Sequence, residues 1–399
     1  MIWKNFSQKN LMRKYIPYGR QDISDEDISE AIKVLRSDYL TQGPEVPKFE
    51  ESICEYVNSK YAFAVNSATS ALHISCLALD VGKNDIVWTS ANTFVASANC
   101  ALYCGAKIDF IDIDKKTNNI CIDELSKKLK LAKAENKLPK VIIPVHLSGN
   151  SCDMKAISKL SKLYNFKIIE DASHAIGASY DNSKVGSCKY SDITVFSFHP
   201  VKIITTCEGG VATTNDKKIA KKLNLYRTHG ITKEFSEMHN TPHGPWYYEQ
   251  LYLGLNYRMT EIQAAIGITQ LKRVDDFVNK RNDLAKIYND EISKEYFDLP
   301  VLTNLSFSSY HLYVIKLKKS FDRKDHRAFF EFLRDQNIGV NIHYIPVHFH
   351  PYYKKLGFEI GDFPNAENYY YSAISIPLFF GLLDEEQSYV INKINNYFK

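Results

Sequence analysis

The stretch Lys167-Ile168-Ile169-Glu170-Asp171-Ala172-Ser173-His174 runs from apolar residues directly into two acids, a serine and a histidine. A short apolar run with polar residues behind it reads as a buried strand that delivers functional groups at its carboxyl end. A carboxylate there is costly unless a cation meets it. Asp171 is therefore either a cap on the following turn or the partner of a protonated ligand nitrogen, and His174, three residues on, reaches the same place or is structural. A second stretch of the same kind, Val195-Phe196-Ser197-Phe198-His199-Pro200-Val201-Lys202, ends on a lysine and is followed by Glu208-Gly209-Gly210. A lysine on a loop after a buried strand acquires a depressed pKa and becomes a nucleophile and base; taken singly, it is an ordinary loop lysine.

Outward from these two stretches the chain alternates strand-like and helix-like segments. Strands are expected over 62–65, 85–88, 108–112, 141–145, 167–169 and 193–198, with helices over 70–79, 96–104, 154–164 and 216–228. This alternation predicts an α/β fold with a mixed, mainly parallel sheet covered on both faces, in which ligands sit beyond the carboxyl ends of the strands. The aromatic-, proline- and histidine-rich stretch 232–254 reads as a long ordered loop. Helices over 261–273 and 276–293 follow it. They lead to a smaller C-terminal α/β domain with strand-like 310–317, helix-like 327–336 and strand-like 340–344, so the division expected is 1–277 and 278–399.

After the first strand, Asn66-Ser67-Ala68-Thr69-Ser70-Ala71 opens a helix with small and hydroxylic residues. A helix N-terminus offers free N–H groups and a positive dipole end to a phosphate, although serine and threonine also serve there as plain caps. The next loop carries Phe94. A phosphate turn, an aromatic, an Asp and then Ser-x-x-x-x-Lys are, in that order, the parts a pyridoxal-phosphate (PLP) site requires.

Bulk properties fit an enzyme of this kind. The chain has 399 residues, 45% of them hydrophobic, enough for two domains. Net charge is +4 with 24% charged residues and no long basic run, which argues against a nucleic-acid partner. Eight scattered cysteines without a CxxC pair read as reduced thiols of the cytoplasm. The uncharged stretches 61–79 and 86–106 are broken by Asn, Ser and Thr, and no membrane span is expected.

At this point the sequence resembles the DegT-type nucleotide-sugar aminotransferases of PLP fold type I. The likeness runs from Ile16 to Pro377 and rests on Tyr39-Leu40-Thr41-Gln42-Gly43, the 66–72 and 93–96 segments, Glu170–Gly177, Phe196–Lys202, Glu208-Gly209-Gly210, Arg227-Thr228-His229-Gly230, the 255–265 segment and His343-Tyr344-Ile345-Pro346. The resemblance implies a homodimer with shared sites and the aspartate-aminotransferase-like fold. It implies that Lys202 holds PLP covalently, that Asp171 meets the ring nitrogen and that Phe94 stacks on the ring. Ala68, Thr69, Ser70 and Ser197 would cup the phosphate, and Asn256 would reach the phosphate of the neighbouring subunit's cofactor. Tyr18, Asp38, Tyr39, Leu40, Thr41, His343, Tyr344, Ile345 and Pro346 would contact the nucleotide sugar, with L-glutamate as donor and 2-oxoglutarate as by-product.

Most family members carry Gln where this chain has His174. The Ser-His-Ala pattern is similar to the pseudaminic-acid branch of the family, which aminates a UDP-linked 4-ketosugar; other branches take GDP-, dTDP- and other UDP-ketosugars. Sugar dehydratases of the same fold carry His in place of the lysine, and a PLP-dependent regulator would need a nucleic-acid-binding module beside the matched region. A nicotinamide enzyme would want GxGxxG, which the sequence lacks. A metal site at His343, His348 and His350 is disfavoured by the absence of nearby acids in the sequence, so no metal is expected.

Overall fold

The computed structural model describes residues 14–399. Its centre is a seven-stranded sheet in the order β1-β9-β8-β5-β4-β2-β3. The strands are β1 (Tyr61–Val65), β2 (Ile86–Ser90), β3 (Lys107–Ile111), β4 (Val141–Ile143), β5 (Lys167–Asp171), β8 (Ile193–Ser197) and β9 (Gly210–Thr214). A short hairpin of β6 (Ser179–Tyr180) and β7 (Ser183–Lys184) lies between β5 and β8 in sequence. Neighbours from β3 to β8 run parallel, whereas β9 is antiparallel to both β8 and β1. Every residue of β4, β8 and β9 is buried, as expected where helices cover both faces of a sheet.

The covering helices are α1 (Asp25–Leu35), α2 (Glu45–Val57), α3 (Ala68–Ala78), α4 (Ala96–Tyr103), α5 (Ile122–Ala134), α6 (Met154–Tyr164), α7 (Lys217–Arg227) and α8 (Glu261–Lys272). Their starts are fixed by local chemistry. Ser67 accepts the Ser70 N–H at the head of α3, Asp216 accepts the Lys218 and Ile219 N–H groups at α7, and Thr260 with Gln263 closes a capping box on α8. The segment expected as one long loop instead folds back on itself, pairing β10 (Ile231–Thr232) with β11 (Glu249–Gln250). Glu249 anchors this arm by accepting the backbone N–H groups of His239 and Asn240.

Helix α9 (Val274–Glu291) runs through the division expected at residue 277 and leads to the C-terminal layer. There β12 (Phe297–Asp298), β14 (Tyr313–Leu317) and β15 (Ala373–Ile376) form a three-stranded sheet, with α10 (Arg323–Asp335) and α13 (Asp384–Asn396) among its helices. β13 (Ser306–Phe307) crosses over to pair with β6, while α11 (Pro351–Lys354) and α12 (Pro364–Tyr370) are short. The strand expected over 340–344 does not form. A single bridge joins Asn341 to Ser375, after which the chain leaves the sheet and the Tyr344 N–H donates to Asn92 Oδ1 at 3.1 Å. Among the described residues no helix is long and apolar enough to cross a membrane.

Arg281 of α9 ties this layer to the central one. It is 2% exposed, and its Nη1 donates to the carbonyls of Tyr310 and His311 at 3.2 Å each and of Leu378 at 2.8 Å. Burial lowers its pKa to about 10, still far above neutrality, so it stays charged. Arg281→Met would leave three buried carbonyls without a donor, and such groups are expensive to strand. The expected loss is about 3 kcal/mol, read as a lower urea midpoint at unchanged slope; an unchanged midpoint would contradict this role.

Candidate active site

β5 and β8 are adjacent and parallel, with Asp171 opposite Val195, so their carboxyl ends open side by side. Asp171 ends β5. It is buried, and its carboxylate is held on both oxygens: Oδ2 accepts from Ser97 Oγ at 2.6 Å and Oδ1 from the Ser173 N–H at 3.1 Å. Ser97, in the first turn of α4, is itself 2.8 Å from Thr93 Oγ1. Lys202 follows β8 on a loop closed by Phe198, whose N–H donates to Gly209 and whose carbonyl accepts from Thr206 N–H, both at 3.0 Å. Lys202 and Asp171 line one cavity of about 1220 Å³, yet among the described residues the lysine amine makes no hydrogen bond or close ion pair. Burial lowers the Lys202 pKa to about 8, and the Asp171 charge only partly offsets this. An amine and a carboxylate thus share a wall without meeting, which leaves room between them for a group that touches both.

The part of the cavity at the start of α3 suits a phosphate. Ser67 caps Ser70 N–H at 3.1 Å, and the Ser67 carbonyl takes Ala71 N–H. The N–H groups of Ala68 and Thr69, first in α3, are left without an intrahelical acceptor. Gly210 lies against this turn: a Cβ there would sit 2.5 Å from the Ala68 nitrogen, so only glycine lets β9 pass the helix start. Thr69, Ser70 and Ser197 add hydroxyls to the lining, and Ser70 Oγ donates to Asn66 Oδ1 at 2.6 Å. Phe94 lines the cavity and is 56% exposed as a residue, an apolar side chain available to a planar ligand. These residues fit PLP: a phosphate cup, a stacking face, a carboxylate for a ring nitrogen and an amine for an aldehyde.

The third side is aromatic and uncharged. His174 Nδ1 accepts the Ser148 N–H at 3.2 Å, and its Nε2 is 3.0 Å from Tyr344 Oη. The His311 ring centroid lies 4.4 Å from that of His174. His343 packs beside Tyr18 and holds Ser375 Oγ through Nδ1 at 2.8 Å. Burial, with the Lys202 charge behind it, pushes the His174 pKa well down and that of His343 to about 3; at His311, burial and then His174 do the same. All three rings are neutral at physiological pH.

Of the residues singled out in the sequence, Tyr18, Thr41, Ala68, Thr69, Ser70, Phe94, Asp171, His174, Ser197, Lys202, Asn256, His343 and Tyr344 line this one cavity. Asp38, Tyr39, Leu40, Ile345 and Pro346 do not. The 38–40 segment is exposed and lies against α8, where the Leu40 carbonyl accepts Glu261 N–H at 3.1 Å; Ile345 points outward and Pro346 is buried beneath. Asn256 lines the cavity of its own chain, hydrogen-bonded through its neighbour Tyr257, whose carbonyl accepts Asn66 N–H at 2.9 Å. His348 pairs with Glu367 at 3.0 Å, away from His343. Sequence reasoning missed Ser97, His311 and Arg258. Ser97 sits one residue beyond a quoted motif and Arg258 within one, whereas His311 lies in an apolar strand approach with nothing to mark it.

Comparison with known proteins adds the family. The model of the DegT/DnrJ/EryC1/StrS aminotransferase family matches residues 21–395. The chain is 41% identical to the UDP-4-amino-4,6-dideoxy-N-acetyl-beta-L-altrosamine transaminase of Campylobacter jejuni over 91% of its length and 92% of the relative's. It is 36% identical to the spore coat polysaccharide biosynthesis protein SpsC of Bacillus subtilis, over 96% and 97% of the two chains. Among solved structures, Helicobacter pylori PseC, an aminotransferase of pseudaminic acid biosynthesis, superposes with a TM-score of 0.86 at 32% identity, over 96% of this chain and 98% of that one. Spr1654 of Streptococcus pneumoniae in its PLP form gives 0.85 at 29% identity, over 96% and 98%. The chain belongs to the DegT/DnrJ/EryC1/StrS family and is a PLP-dependent aminotransferase.

Proposed function

We propose that the chain aminates C4 of a UDP-linked ketosugar, UDP-2-acetamido-2,6-dideoxy-β-L-arabino-hexos-4-ulose, with L-glutamate as donor. The products are UDP-4-amino-4,6-dideoxy-N-acetyl-β-L-altrosamine and 2-oxoglutarate, on the route to pseudaminic acid. The observation that carries the chemistry is the Lys202 amine, unpaired among the described residues, lining one cavity with the Asp171 carboxylate. The substrate reading rests on the 41% identity to the Campylobacter relative of that printed activity and on His174.

When bound, PLP supplies an electron sink for a carbon that is losing a proton. The residues supply the rest. Lys202, with a pKa near 8, would take the proton from the donor's α-carbon and give it up at the cofactor's carbon rather than back to the donor, a base and then an acid matched to neutral pH. Asp171, pinned by Ser97 and Ser173, keeps a negative charge fixed where a ring nitrogen has to stay protonated. The neutral histidine wall adds no competing base. The cavity volume exceeds what a cofactor alone fills, which suits a nucleotide-linked substrate.

Two copies with shared sites complete the reading. The arm between β10 and β11 leaves Trp246 70%, Tyr248 54% and, just beyond it, Leu253 88% exposed. Large apolar groups so open are usual where a second copy packs, and Asn256 follows directly after this arm in the sequence. Eight free cysteines suit work in the cytoplasm.

With glutamate and a panel of UDP-, GDP- and dTDP-4-ketosugars, the UDP-2-acetamido substrate is expected to give the highest kcat/KM, and a preference for a GDP or dTDP sugar would overturn the substrate assignment. Lys202→Ala should abolish turnover and the cofactor's visible band, and Asp171→Asn should retain the cofactor while losing about 100-fold or more in kcat; wild-type rates in either would sink the chemistry. In the cofactor-free protein the Lys202 amine should acylate with a midpoint near pH 8, because its folded pKa lies below the usual lysine value. Between that pH and about 10.5 the unfolded chain binds the extra proton, so this group makes stability rise with pH across the window. Labelling with a midpoint above pH 10 would show an ordinary surface amine.

A further inference from the structure

The wall that adjoins Phe94 through Tyr344 is polarised in one direction. The Ser148 N–H donates into His174 Nδ1 at 3.2 Å, so that nitrogen carries no proton and the ring hydrogen is on Nε2. Nε2 is 3.0 Å from Tyr344 Oη and donates to it. The Tyr344 hydroxyl thereby spends a lone pair on His174 and keeps its own hydrogen, for which the described residues offer no acceptor. Tyr344 lines the cavity, and burial raises its pKa, so the hydrogen stays on at any working pH.

His311 repeats the pattern. It is 5% exposed, lines the same cavity, and its Nδ1 is buried without a partner among the described residues. A stranded N–H costs more than a stranded lone pair, so the proton of this neutral ring sits on Nε2, the side left for the cavity. Its backbone is fixed by the bond from Arg281 Nη1 to the His311 carbonyl at 3.2 Å.

We infer that Tyr344 and His311 form an uncharged, donor-only wall that takes the carbonyl oxygen of the keto group being aminated, with His174 as the positioning residue that sets the direction of the Tyr344 hydrogen. The inference rests on the reading of the chain as a ketosugar aminotransferase. Two neutral donors suit a neutral acceptor oxygen; a carboxylate or phosphate would be met better by a cation. The wall and the reacting amine line the same cavity. As an amino nitrogen's lone pair forms the new C–N bond, the carbonyl π pair moves onto oxygen; that oxygen then takes the two protons the nitrogen gives up and leaves as water. Tyr344 and His311 hydrogen-bond that growing charge and keep their protons.

The two half-reactions of the holoenzyme, followed separately by cofactor absorbance, test this. Tyr344→Phe is expected to slow the ketosugar half-reaction about 100-fold and to leave the L-glutamate half-reaction within about twofold. His174→Leu should lose a similar factor alone and nothing further in the Tyr344→Phe background, because it acts through the same hydroxyl. His174→Gln should restore the rate, since an amide accepts at its oxygen and donates at its nitrogen as this imidazole does. The Kd of UDP for the cofactor-free variants, measured calorimetrically, should not move, as UDP has no keto group. Equal losses in both half-reactions, additive losses in the double variant, or a weakened UDP Kd would overturn the wall and leave the aminotransferase reading standing. A wild-type chain that reacts with glutamate and with no ketosugar would remove the reading beneath it.

Discussion

An amine and a carboxylate facing the same cavity attract each other, and the site works only if they are kept apart. Asp171 is restrained on both oxygens, by the Ser97 hydroxyl and the Ser173 N–H, so it cannot swing to Lys202. Lys202 is restrained through its loop. That loop would leave for a helix, as after β2 and β3, were β9 not antiparallel. The chain turns back at once instead, and the Phe198 N–H and carbonyl pin both sides of the turn. Gly209 and Gly210 are what this return demands: a Cβ on the first would meet Thr206 Oγ1 at 2.1 Å, and one on the second would meet the start of α3. The restraint on the lysine and the shape of the phosphate turn are therefore one structural solution.

The elements around this pair were legible because their signals are local. Buried parallel strands are apolar on both faces and short, helix starts carry Ser, Thr or Asp, and the strand ends differ from the expected ones by a residue or two. Asp171 and Lys202 stood out as ionisable groups directly behind apolar runs. The failures share a cause as well. Residues 340–344 have strand composition, but Asn92 from a distant loop captures the Tyr344 N–H and pulls the segment to the cavity. The arm at 232–254 looks like a loop because its two short strands hold only each other and Glu249. Ser97 and His311 act through contacts with Asp171 and His174, each more than 70 positions away, on which composition and periodicity are silent.

Two consecutive acids end β5, and their separation shows how the strand protects the chemistry. Successive side chains point to opposite faces, so Asp171 faces the cavity while Glu170 faces away. There Glu170 Oε2 meets His146 Nε2 at 2.7 Å, and Thr194 donates to Oε1 at 3.1 Å. His146 Nδ1 faces the Cys152 N–H at 3.1 Å, and the proton on its Nε2 is given to Glu170. The second acid is thus fully satisfied on the far face and takes no part in the cavity.

His146 and His174 share this arrangement: a backbone N–H faces one ring nitrogen, and the other nitrogen donates. Backbone donors cannot rotate away or titrate, so each imidazole becomes a donor of fixed direction. In a cavity whose function turns on one movable proton at Lys202, further groups of ambiguous protonation would compete for it. Burial and the nearby lysine charge keep His174, His311 and His343 neutral, and at His174 the Ser148 N–H fixes which nitrogen donates. A histidine at position 174 therefore does what an amide does, accepting at one fixed atom and donating at another, without introducing a second base.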